Sequence, residues 1–247
     1  MSGMPAPVTL CNAGGGSPVL LLCEHASNHI PPEYRDLGLP AAELQRHIAY
    51  DIGAAELARR LSARLDAPLL LAGYSRLLID LNRPLAAPSS IPEISEATVI
   101  PGNRGIDAAE RARRQAAWFV PFHDCVAALL DARIAAGQRT VVIGVHSFTP
   151  VYLGQRRPWH AGILYGEARG FGTALVRALA AEPGLVIGDN EPYRIEAAMD
   201  YTVPVHGDAR GLDAVLLEVR QDLLGDAAGW DAWADRLARA LRQAIPR

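Results

Sequence analysis

The sequence predicts a single-domain α/β fold, a three-layer sandwich around a mostly parallel or mixed sheet. Strand-like and helix-like patterns alternate along the whole chain, which is the usual order in such folds. The strand-like segments are unbroken apolar runs, as expected for strands that helices cover on both faces. No internal repeat or shift in composition marks a boundary, so residues 1–247 are expected to form one domain with a core at about 18–245.

The predicted elements follow one another after a flexible lead-in at residues 14–18. The predicted strands are residues 19–23, 69–72, 76–81, 140–145, 162–165, 185–187 and 214–219. The predicted helices are residues 41–65, 107–136, 168–181 and 230–244. The second of these helices has Asp107 as its cap and Gly137 at its end.

Two stretches, residues 84–106 and 189–211, are predicted to be loop insertions over the site. The first is rich in proline, serine and glycine and is too long for a routine connection. Loops of this length often carry functional residues.

The charged residues exclude several classes of protein. The net charge of −3 has no basic excess that would attract nucleic acid or an anionic membrane, so neither partner is expected. All 24 basic residues are arginine. This excludes a Schiff-base lysine, a P-loop lysine and a Ser-Lys dyad, and leaves guanidinium groups to bind a substrate carboxylate.

The cysteines and the apolar runs bear on the compartment. The three cysteines form no close pair, so neither a disulfide framework nor a CxxC zinc site is predicted. The longest apolar run, residues 19–23, is the length of a strand rather than of a signal peptide or a membrane span. A cytoplasmic location is therefore expected.

Polar side chains with catalytic chemistry follow four of the predicted strands. In open α/β sheets, ligands bind outside the carboxyl ends of the strands, so these side chains are expected to meet at one edge. They are Glu24, His25, Asn82, Arg83, His146 and Glu218.

This set of residue types is suited to metal-assisted hydrolysis. Two histidines and a carboxylate from different loops form a common catalytic zinc site with one open position, and another divalent metal is an alternative. A second carboxylate can accept a proton from water. Glu218 lies within an apolar strand, where a carboxylate is costly unless it is paired or coordinated. The structural alternatives are a buried ion pair of Glu218 with Arg220 or another arginine, and a salt bridge of Asp80 with Arg83.

Five segments of the chain, in this order, resemble the N-formylglutamate amidohydrolase family. The resemblance extends from about residue 18 to about residue 224, and its most specific segment is residues 75–84. The segments are Cys-Glu-His-Ala-Ser-Asn at 23–28, His47 with Asp51-Ile-Gly-Ala, Ser-Arg-Leu-Leu-Ile-Asp-Leu-Asn-Arg-Pro at 75–84, His-Ser-Phe at 146–148 and Leu-Glu-Val-Arg at 217–220.

The resemblance implies a phosphorylase/hydrolase-like fold related to zinc carboxypeptidases and aspartoacylases. It implies that His25 and His146 bind zinc and that Glu218 is the general base. It also implies that Asn82 and Arg83 hold a substrate carboxylate, and that Arg76 assists them. His206 joins Glu218 in the expected catalytic group, where it would orient the substrate or stabilise the transition state; the alternative is that it is a loop residue.

The chain departs from the carboxypeptidase pattern at one position. Those relatives have a glutamate ligand three residues after the first histidine, where this chain has Asn28, which is a poor zinc ligand. The third ligand must come from elsewhere. Asp51 is the first choice and Glu24 the second.

The expected activity is metal-dependent hydrolysis of the amide bond of a small N-acyl amino acid such as N-formylglutamate. Glu93 and Glu96 in the long loop could favour another acyl amino acid or an amine. A serine hydrolase using Ser27 or Ser147 is disfavoured, because the chain lacks a Gly-x-Ser-x-Gly motif. A nucleotide-binding fold is also disfavoured, because the glycine run precedes the first predicted strand.

A further alternative is a relative of the same fold that binds a small molecule without metal or catalysis. Such a protein would depend on Arg83 for binding and would tolerate the loss of Glu218.

Overall fold

The computed structural model of the protein describes residues 4–245. Seven of its strands form one central sheet, and four more form two small hairpins. The strands are β1 (Val8–Cys11), β2 (Val19–Cys23), β3 (Leu69–Ala72), β4 (Ile94–Ser95), β5 (Thr98–Val99), β6 (Val141–Phe148), β7 (Val151–Tyr152), β8 (Gln155–Arg156), β9 (Ala161–Leu164), β10 (Ile187–Asp189) and β11 (Asp213–Arg220).

The central sheet is mixed, with the strand order β1–β3–β2–β6–β11–β9–β10. Strands β3, β2, β6 and β11 run parallel to one another. Strand β1 pairs antiparallel with β3, and β9 pairs antiparallel with β11 and parallel with β10. The carboxyl ends of the four central strands therefore lie at one edge of the sheet.

Five α-helices flank the sheet, and none within residues 4–245 is long and apolar enough to cross a membrane. They are α1 (Ala54–Leu65), α2 (Ala108–Arg114), α3 (Val120–Ala135), α4 (Arg169–Ala180) and α5 (Ala227–Ala244). Wider, π-helical turns lie at Gln115–Phe119 and Thr202–Gly207.

Alternate residues of the central strands point to opposite faces of the sheet, as the strand period requires. Val19, Leu21 and Cys23 of β2 join a core with helices α1, α4 and α5. Leu20 and Leu22 join a second core with α3 and the segment after β3. These two cores make three layers and confirm the predicted α/β class with a mixed sheet.

Most predicted elements are present within a few residues of their expected bounds. The edge strand β1 was not predicted, because four residues of mixed exposure carry little strand signal. The predicted helix at 107–136 is capped as expected, since Asp107 Oδ1 accepts a hydrogen bond from Glu110 N at 2.8 Å. A π-helical turn interrupts this helix just before Pro121, whose ring clashes with a regular preceding turn.

The prediction of a strand at residues 76–81 is wrong, because the chain turns repeatedly there. Leu78 N donates to Ser75 O at 3.0 Å, and the Asp80 carboxylate accepts a hydrogen bond from Asn82 N at 2.9 Å. The apolar side chains of this segment are buried in the second core. A buried loop and a buried strand thus give the same apolar run.

The prediction of one helix over residues 41–65 is also wrong, because α1 begins only at Ala54. Gly53 has a left-handed φ of 81°, and a Cβ there would lie 2.5 Å from Leu224 Cβ. The preceding residues form turns. This leaves Asp51 outside the helix, and its side chain is directed towards the carboxyl edge of the sheet.

Arg114 is expected to be essential for the stability of the segment that follows β3. Its buried guanidinium donates to Leu78 O at 3.0 Å and to Asn103 Oδ1 at 2.7 Å, and it pairs with Glu110 at 2.7 Å. In the Arg114→Ala variant these acceptors lose their donor, so we expect the free energy of unfolding to fall by about 3 kcal/mol. Urea denaturation measures this loss.

Arg113→Ala is the matched control. Arg113 pairs with the same Glu110 carboxylate, but its side chain is 62% exposed. We expect this variant to unfold with nearly the same free energy as the wild type, because an exposed ion pair contributes little. Equal losses in the two variants would contradict a special role for the buried arginine.

Candidate active site

The central strands bring three polar side chains to the carboxyl edge of the sheet. His25 follows β2, His146 lies in β6, and Glu218 lies directly opposite His146 in β11. Residues paired in this way point to the same face. Gly144 makes room for the His146 ring, since a Cβ there would lie 2.4 Å from Leu216 Cδ2 and 3.3 Å from His146 Nε2.

The structure brings together the three residues predicted as metal ligands. Asp51 Oδ2 lies 3.3 Å from His25 Nδ1 and 2.9 Å from His146 Nδ1. One ligand atom from each of these residues lies within 4.8 Å of the other two, and all three residues are buried. The backbone N–H of Asp51 donates to His25 O at 3.0 Å, which fixes the turn that carries the carboxylate.

A carboxylate faces the outer nitrogen of each histidine. His25 Nε2 lies 2.7 Å from Asp80 Oδ1, and His146 Nε2 lies 3.2 Å from Glu24 Oε2. The hydroxyl of Thr202 donates to the other oxygen of Glu24. Carboxylates in this outer position are typical of metal-binding histidines, whose orientation and tautomer they fix. Glu24, the second choice for third ligand, therefore lies behind His146 and not beside Asp51.

The chemistry of these three residues fits a bound cation. In a neutral ring that carries its proton on Nε2, facing the outer carboxylate, Nδ1 is an acceptor. Both Nδ1 atoms face Asp51 Oδ2. Without a metal ion the rings can donate to this oxygen; burial opposes protonation of His146, but the carboxylates of Asp51 and Glu24 raise its pKa well above the ordinary value. With the ring protons on Nε2, the two Nδ1 atoms and Oδ2 would instead offer three ligand atoms to one cation. Two nitrogens and one oxygen match the donors of a catalytic zinc site with one open position. The prediction that Asp51 joins the two histidines is thus compatible with the geometry.

The charges of the group are strongly coupled. Burial alone would raise the pKa of Asp51, but the neighbouring rings of His25 and His146 hold it well below its usual range. Burial likewise opposes ionisation of Asp80, and the charges of Arg76 and His25 hold its pKa well below the ordinary value. Both carboxylates are therefore ionised at neutral pH, which favours a cation beside them.

Glu218 differs from the other acidic residues of the site. Burial raises the pKa of Glu218 to about 7. The neighbouring His146 lowers this pKa, whereas the negative charge of Asp51 adds to the rise. Its Oε2 atom is buried and has no hydrogen-bond partner within residues 4–245. Arg220, the alternative ion-pair partner, instead binds Asp222 at 2.8 Å. A carboxyl group that can gain or lose a proton near neutral pH therefore lies beside the histidines.

The three predicted substrate-binding residues lie around the same cavity, with different partners. Arg76 binds Asp80 at 2.6 Å and Asp51 at 3.3 Å, so it supports the two carboxylates of the histidine group. Asn82 Oδ1 accepts the backbone N–H of Thr202 at 2.9 Å. Asn82 therefore fixes the segment that places Thr202 against Glu24.

Arg83 binds Asp200 and not Asp80. Its Nη1 atom donates to Asp200 Oδ1 at 2.9 Å and to Met199 O at 2.7 Å. Within residues 4–245 no hydrogen bond engages its Nε or Nη2 atoms. One edge of the guanidinium is thus fixed, and the other is available to a ligand in the cavity.

Other residues considered from the sequence lie outside the reactive group. Asn28 Nδ2 donates to Leu44 O at 2.9 Å, so the residue three positions after His25 is directed elsewhere. The Ser147 hydroxyl donates to Ile52 O at 2.7 Å, which does not favour a serine nucleophile.

His206 does not contact the histidine group, and it is not among the described residues that line the cavity. It is buried and lies 2.9 Å from His123 Nδ1 through its own Nε2. Because His123 Nε2 lies 2.8 Å from Leu81 O, which only accepts, His123 Nδ1 is an acceptor and His206 donates to it. The ring of His206 thus packs under the π-helical turn, and we leave it out of the proposed catalytic group.

Acid is expected to destabilise the protein through His206. Burial, assisted by the charge of Arg210, lowers the pKa of His206 to about 4 from 6.5. The folded state keeps the ring neutral, whereas the unfolded chain binds a proton below pH 6.5. Stability is therefore lost as the pH falls, by about 2 kcal/mol at pH 5 from this residue.

Chemical denaturation of the metal-free protein between pH 7 and pH 5 tests this expectation. The slope of unfolding free energy against pH should become shallower in the His206→Gln variant. A slope equal to that of the wild type would contradict the assignment of a buried neutral ring.

The polar groups surround a cavity of about 500 Å³. Both predicted loop insertions line it, which explains their length. The first contributes Pro92 and Glu96, and the Arg46 guanidinium binds the Glu96 carboxylate and fixes the β4–β5 hairpin as a wall. The second contributes Tyr193 and Asp200.

Comparison with known proteins identifies the family. A family model described as N-formylglutamate amidohydrolase matches residues 17–225. The chain belongs to the N-formylglutamate amidohydrolase family. The crystal structure of a gene product from Agrobacterium tumefaciens is similar to it, with 39% identity, coverage of 99% of this chain and 96% of that chain, and a TM-score of 0.95.

A second solved structure shows that the fold is shared at lower similarity. N-formylglutamate amidohydrolase from Ralstonia eutropha JMP134 has 18% identity to the chain, with 97% of each chain covered and a TM-score of 0.65. No curated protein sequence matches the chain. The family resemblance inferred from the five segments is confirmed. Membership of this family supports amide hydrolysis of N-formylglutamate-like substrates.

Three residues of the site, Asp80, Thr202 and Tyr193, were not predicted from the sequence as functional. The Asp80 carboxylate was interpreted as a possible partner of Arg83, although its place in the segment at 75–84 was a signal of function. Thr202 and Tyr193 lie in the second insertion, where no sequence pattern singled them out. Their roles depend on how that insertion folds back over the sheet.

Proposed function

We propose that the protein is a metal-dependent hydrolase that removes the acyl group from a small N-acyl amino acid, with N-formylglutamate as the first candidate. One observation carries this proposal. A buried group of three possible metal ligands, His25, Asp51 and His146, shares a cavity with Glu218, whose pKa is about 7, and with the free edge of Arg83. This combination suits an amide substrate that also bears a carboxylate.

His25, Asp51 and His146 would hold the metal. Zinc matches their donor atoms, and another divalent ion is possible. When bound, such an ion supplies a Lewis acid that polarises a carbonyl group and lowers the pKa of water. Asp80 and Glu24 orient the two histidines through their Nε2 atoms.

Glu218 serves as the proton carrier in this proposal. Its carboxylate takes one proton from the attacking water, whose oxygen forms a bond to the acyl carbon. When the C–N bond breaks, the same proton passes to the leaving nitrogen, so a carboxylic acid and an amine are released. A group with a pKa of about 7 suits both transfers, because neither protonation state is strongly favoured at neutral pH.

Arg83 binds the carboxylate of the substrate. Its Nη1 atom is held by Asp200 and Met199, so the guanidinium is oriented before the substrate arrives. The free Nε and Nη2 edge can donate two parallel hydrogen bonds to one carboxylate. Arg76 forms ion pairs with Asp51 and Asp80. It therefore stabilises these two carboxylates and does not bind the substrate directly.

Removal of the Arg83 side chain is expected to lower kcat/KM by at least tenfold, which is about 1.4 kcal/mol. Most of the loss should lie in KM, because the carboxylate is bound equally in the ground state and the transition state. Steady-state kinetics of Arg83→Ala provide the measurement.

Arg210→Ala is the control for Arg83→Ala. Arg210 pairs with the exposed Asp131, outside the cavity, so its loss should leave kcat/KM unchanged. A change smaller than tenfold in Arg83→Ala would exclude the carboxylate-binding role.

The experiment that tests the proposed function is a panel of N-formyl and N-acetyl amino acids offered to the zinc-loaded protein. Release of the free amino acid is followed by mass spectrometry. The panel should include glutamate, aspartate, glutamine and a neutral residue with both acyl groups. We expect a formylated acidic amino acid to be the best substrate. No amine release from any member would refute the proposed function.

A further inference from the structure

Tyr193 lies at the mouth of the cavity that contains Glu218 and Arg76. It lines the cavity and is 41% exposed. Partial burial and the negative charge of Glu218 raise the pKa of Tyr193, although Arg157 and Arg76 oppose this rise. The phenol is therefore protonated at neutral pH and can donate a hydrogen bond into the cavity.

Arg157 fixes the phenol in two ways. Its Nη1 atom donates to Tyr193 Oη at 2.8 Å. Its guanidinium carbon also lies 4.7 Å from the ring centroid of Tyr193 and 4.7 Å from that of Tyr152. The guanidinium thus contacts both aromatic rings, and it joins the β7–β8 hairpin to the second loop insertion.

The direction of this hydrogen bond leaves the phenolic proton free. A guanidinium only donates, so Tyr193 Oη is the acceptor in its contact with Arg157. No other hydrogen bond of Tyr193 Oη lies within residues 4–245. The O–H is consequently available to a ligand, and the adjacent positive charge makes it a stronger donor.

Two residues before Tyr193, the chain crosses β9 beside Glu218. Gly162 of β9 lies opposite Glu218 in the antiparallel pairing with β11. A Cβ at Gly162 would lie only 1.8 Å from Glu191 O. The missing side chain lets the backbone at Glu191 pass directly over the strand, and this close approach places Tyr193 near the general base.

We propose that Tyr193 donates a hydrogen bond from Oη to the acyl oxygen of the bound substrate, and that Arg157 is a positioning residue that holds the phenol for this contact. The proposal rests on the proposed function, because it takes amide hydrolysis at Glu218 as given. The acyl oxygen gains negative charge as its carbon becomes tetrahedral. A donor fixed beside it therefore stabilises the transition state more than the substrate.

The test compares Tyr193→Phe, Arg157→Met and the double variant, using the best substrate of the N-acyl panel. We expect Tyr193→Phe to lower kcat about 100-fold, with KM changed less than about threefold. Arg157→Met should lower kcat about tenfold without a large change in KM. The double variant should be no slower than Tyr193→Phe alone, because Arg157 acts only through the phenol.

Tyr165→Phe is the matched control. Its hydroxyl also binds a charged group, Asp189 at 2.5 Å, but it lies outside the cavity lining. We expect wild-type kcat and KM in this variant. Thermal unfolding of all variants separates loss of folding from loss of function. A Tyr193→Phe variant that is folded and keeps kcat within twofold of the wild type would overturn the proposal, as would additive losses in the double variant.

Binding measurements distinguish this inference from the proposed function. If the wild type hydrolyses no panel member, the proposed function fails, and calorimetry of the same N-formyl amino acids then decides on Tyr193. Binding about two- to threefold weaker in Tyr193→Phe, in line with the small change expected in KM, would support the hydrogen bond to the acyl group. Equal binding in both proteins, or no binding to the wild type, would overturn it.

Discussion

Replacement of Glu218 by glutamine is expected to lower kcat by about 10²–10⁴-fold, the usual contribution of a general acid–base group. Glutamine keeps the size of the side chain but can neither take a proton from water nor return one to the leaving nitrogen. Steady-state kinetics with the best N-acyl amino acid measure the loss. KM should change little, because Glu218 acts on the reacting atoms and not on the substrate carboxylate.

Stability separates this loss from unfolding. The raised pKa of about 7 means that the ionised Glu218 carboxylate is disfavoured in the folded, metal-free protein. Above pH 7 the neutral amide of Glu218→Gln should therefore be no less stable than the wild type. Glu182→Gln, at a surface ion pair with Arg236, is the control and should keep full activity. Near-wild-type kcat in Glu218→Gln would remove Glu218 from the mechanism.

Loss of either predicted histidine ligand is expected to abolish metal binding and to lower kcat/KM by at least about 10³-fold. In His25→Ala or His146→Ala, two donors remain, which is too few for a stable catalytic zinc site. Elemental analysis of protein purified without a histidine tag gives the metal content. Activity on the same preparation gives the catalytic loss.

Asp80→Asn provides a graded comparison with those variants. Asp80 faces His25 Nε2 at 2.7 Å and would not itself bind the metal. Changes to such outer carboxylates typically weaken metal binding by about 10–100-fold, so the variant should regain metal and activity at higher zinc concentrations. Full metal content in His25→Ala and His146→Ala would contradict the assigned ligands.

The sequence predicted the central strands and the side chains at their ends, because apolar runs that end in polar residues mark both at once. His25, His146 and Glu218 could be placed at one edge by this reasoning alone. Asp51 was correctly expected near them, but for an incomplete reason. The pattern placed Asp51 within a helix. In the structure the left-handed Gly53 separates the preceding turns from helix α1, and the side chain of Asp51 is directed into the site.

The parts that could not be predicted depend on contacts between distant segments. The segment at 76–81 has the composition of a strand, but Ser75 and Asp80 bind its backbone and the chain turns. Arg83 was expected to be able to pair with Asp80, three residues away, and instead binds Asp200 at 2.9 Å. Tyr193 reaches the cavity from a segment whose backbone at Glu191 passes so close to Gly162 that a Cβ there would clash. None of these contacts leaves a periodic signal in the sequence.

Metal-dependent hydrolysis is tested most directly by the kcat/KM of the wild-type protein for N-formyl-L-glutamate and its acetyl analogue, before and after removal of metal by a chelator. We expect hydrolysis by the metal-loaded protein, loss of activity in the metal-free protein, and recovery with about one equivalent of zinc or another divalent ion per chain. Full activity in the metal-free protein, or no hydrolysis of either compound when metal is bound, would contradict this expectation.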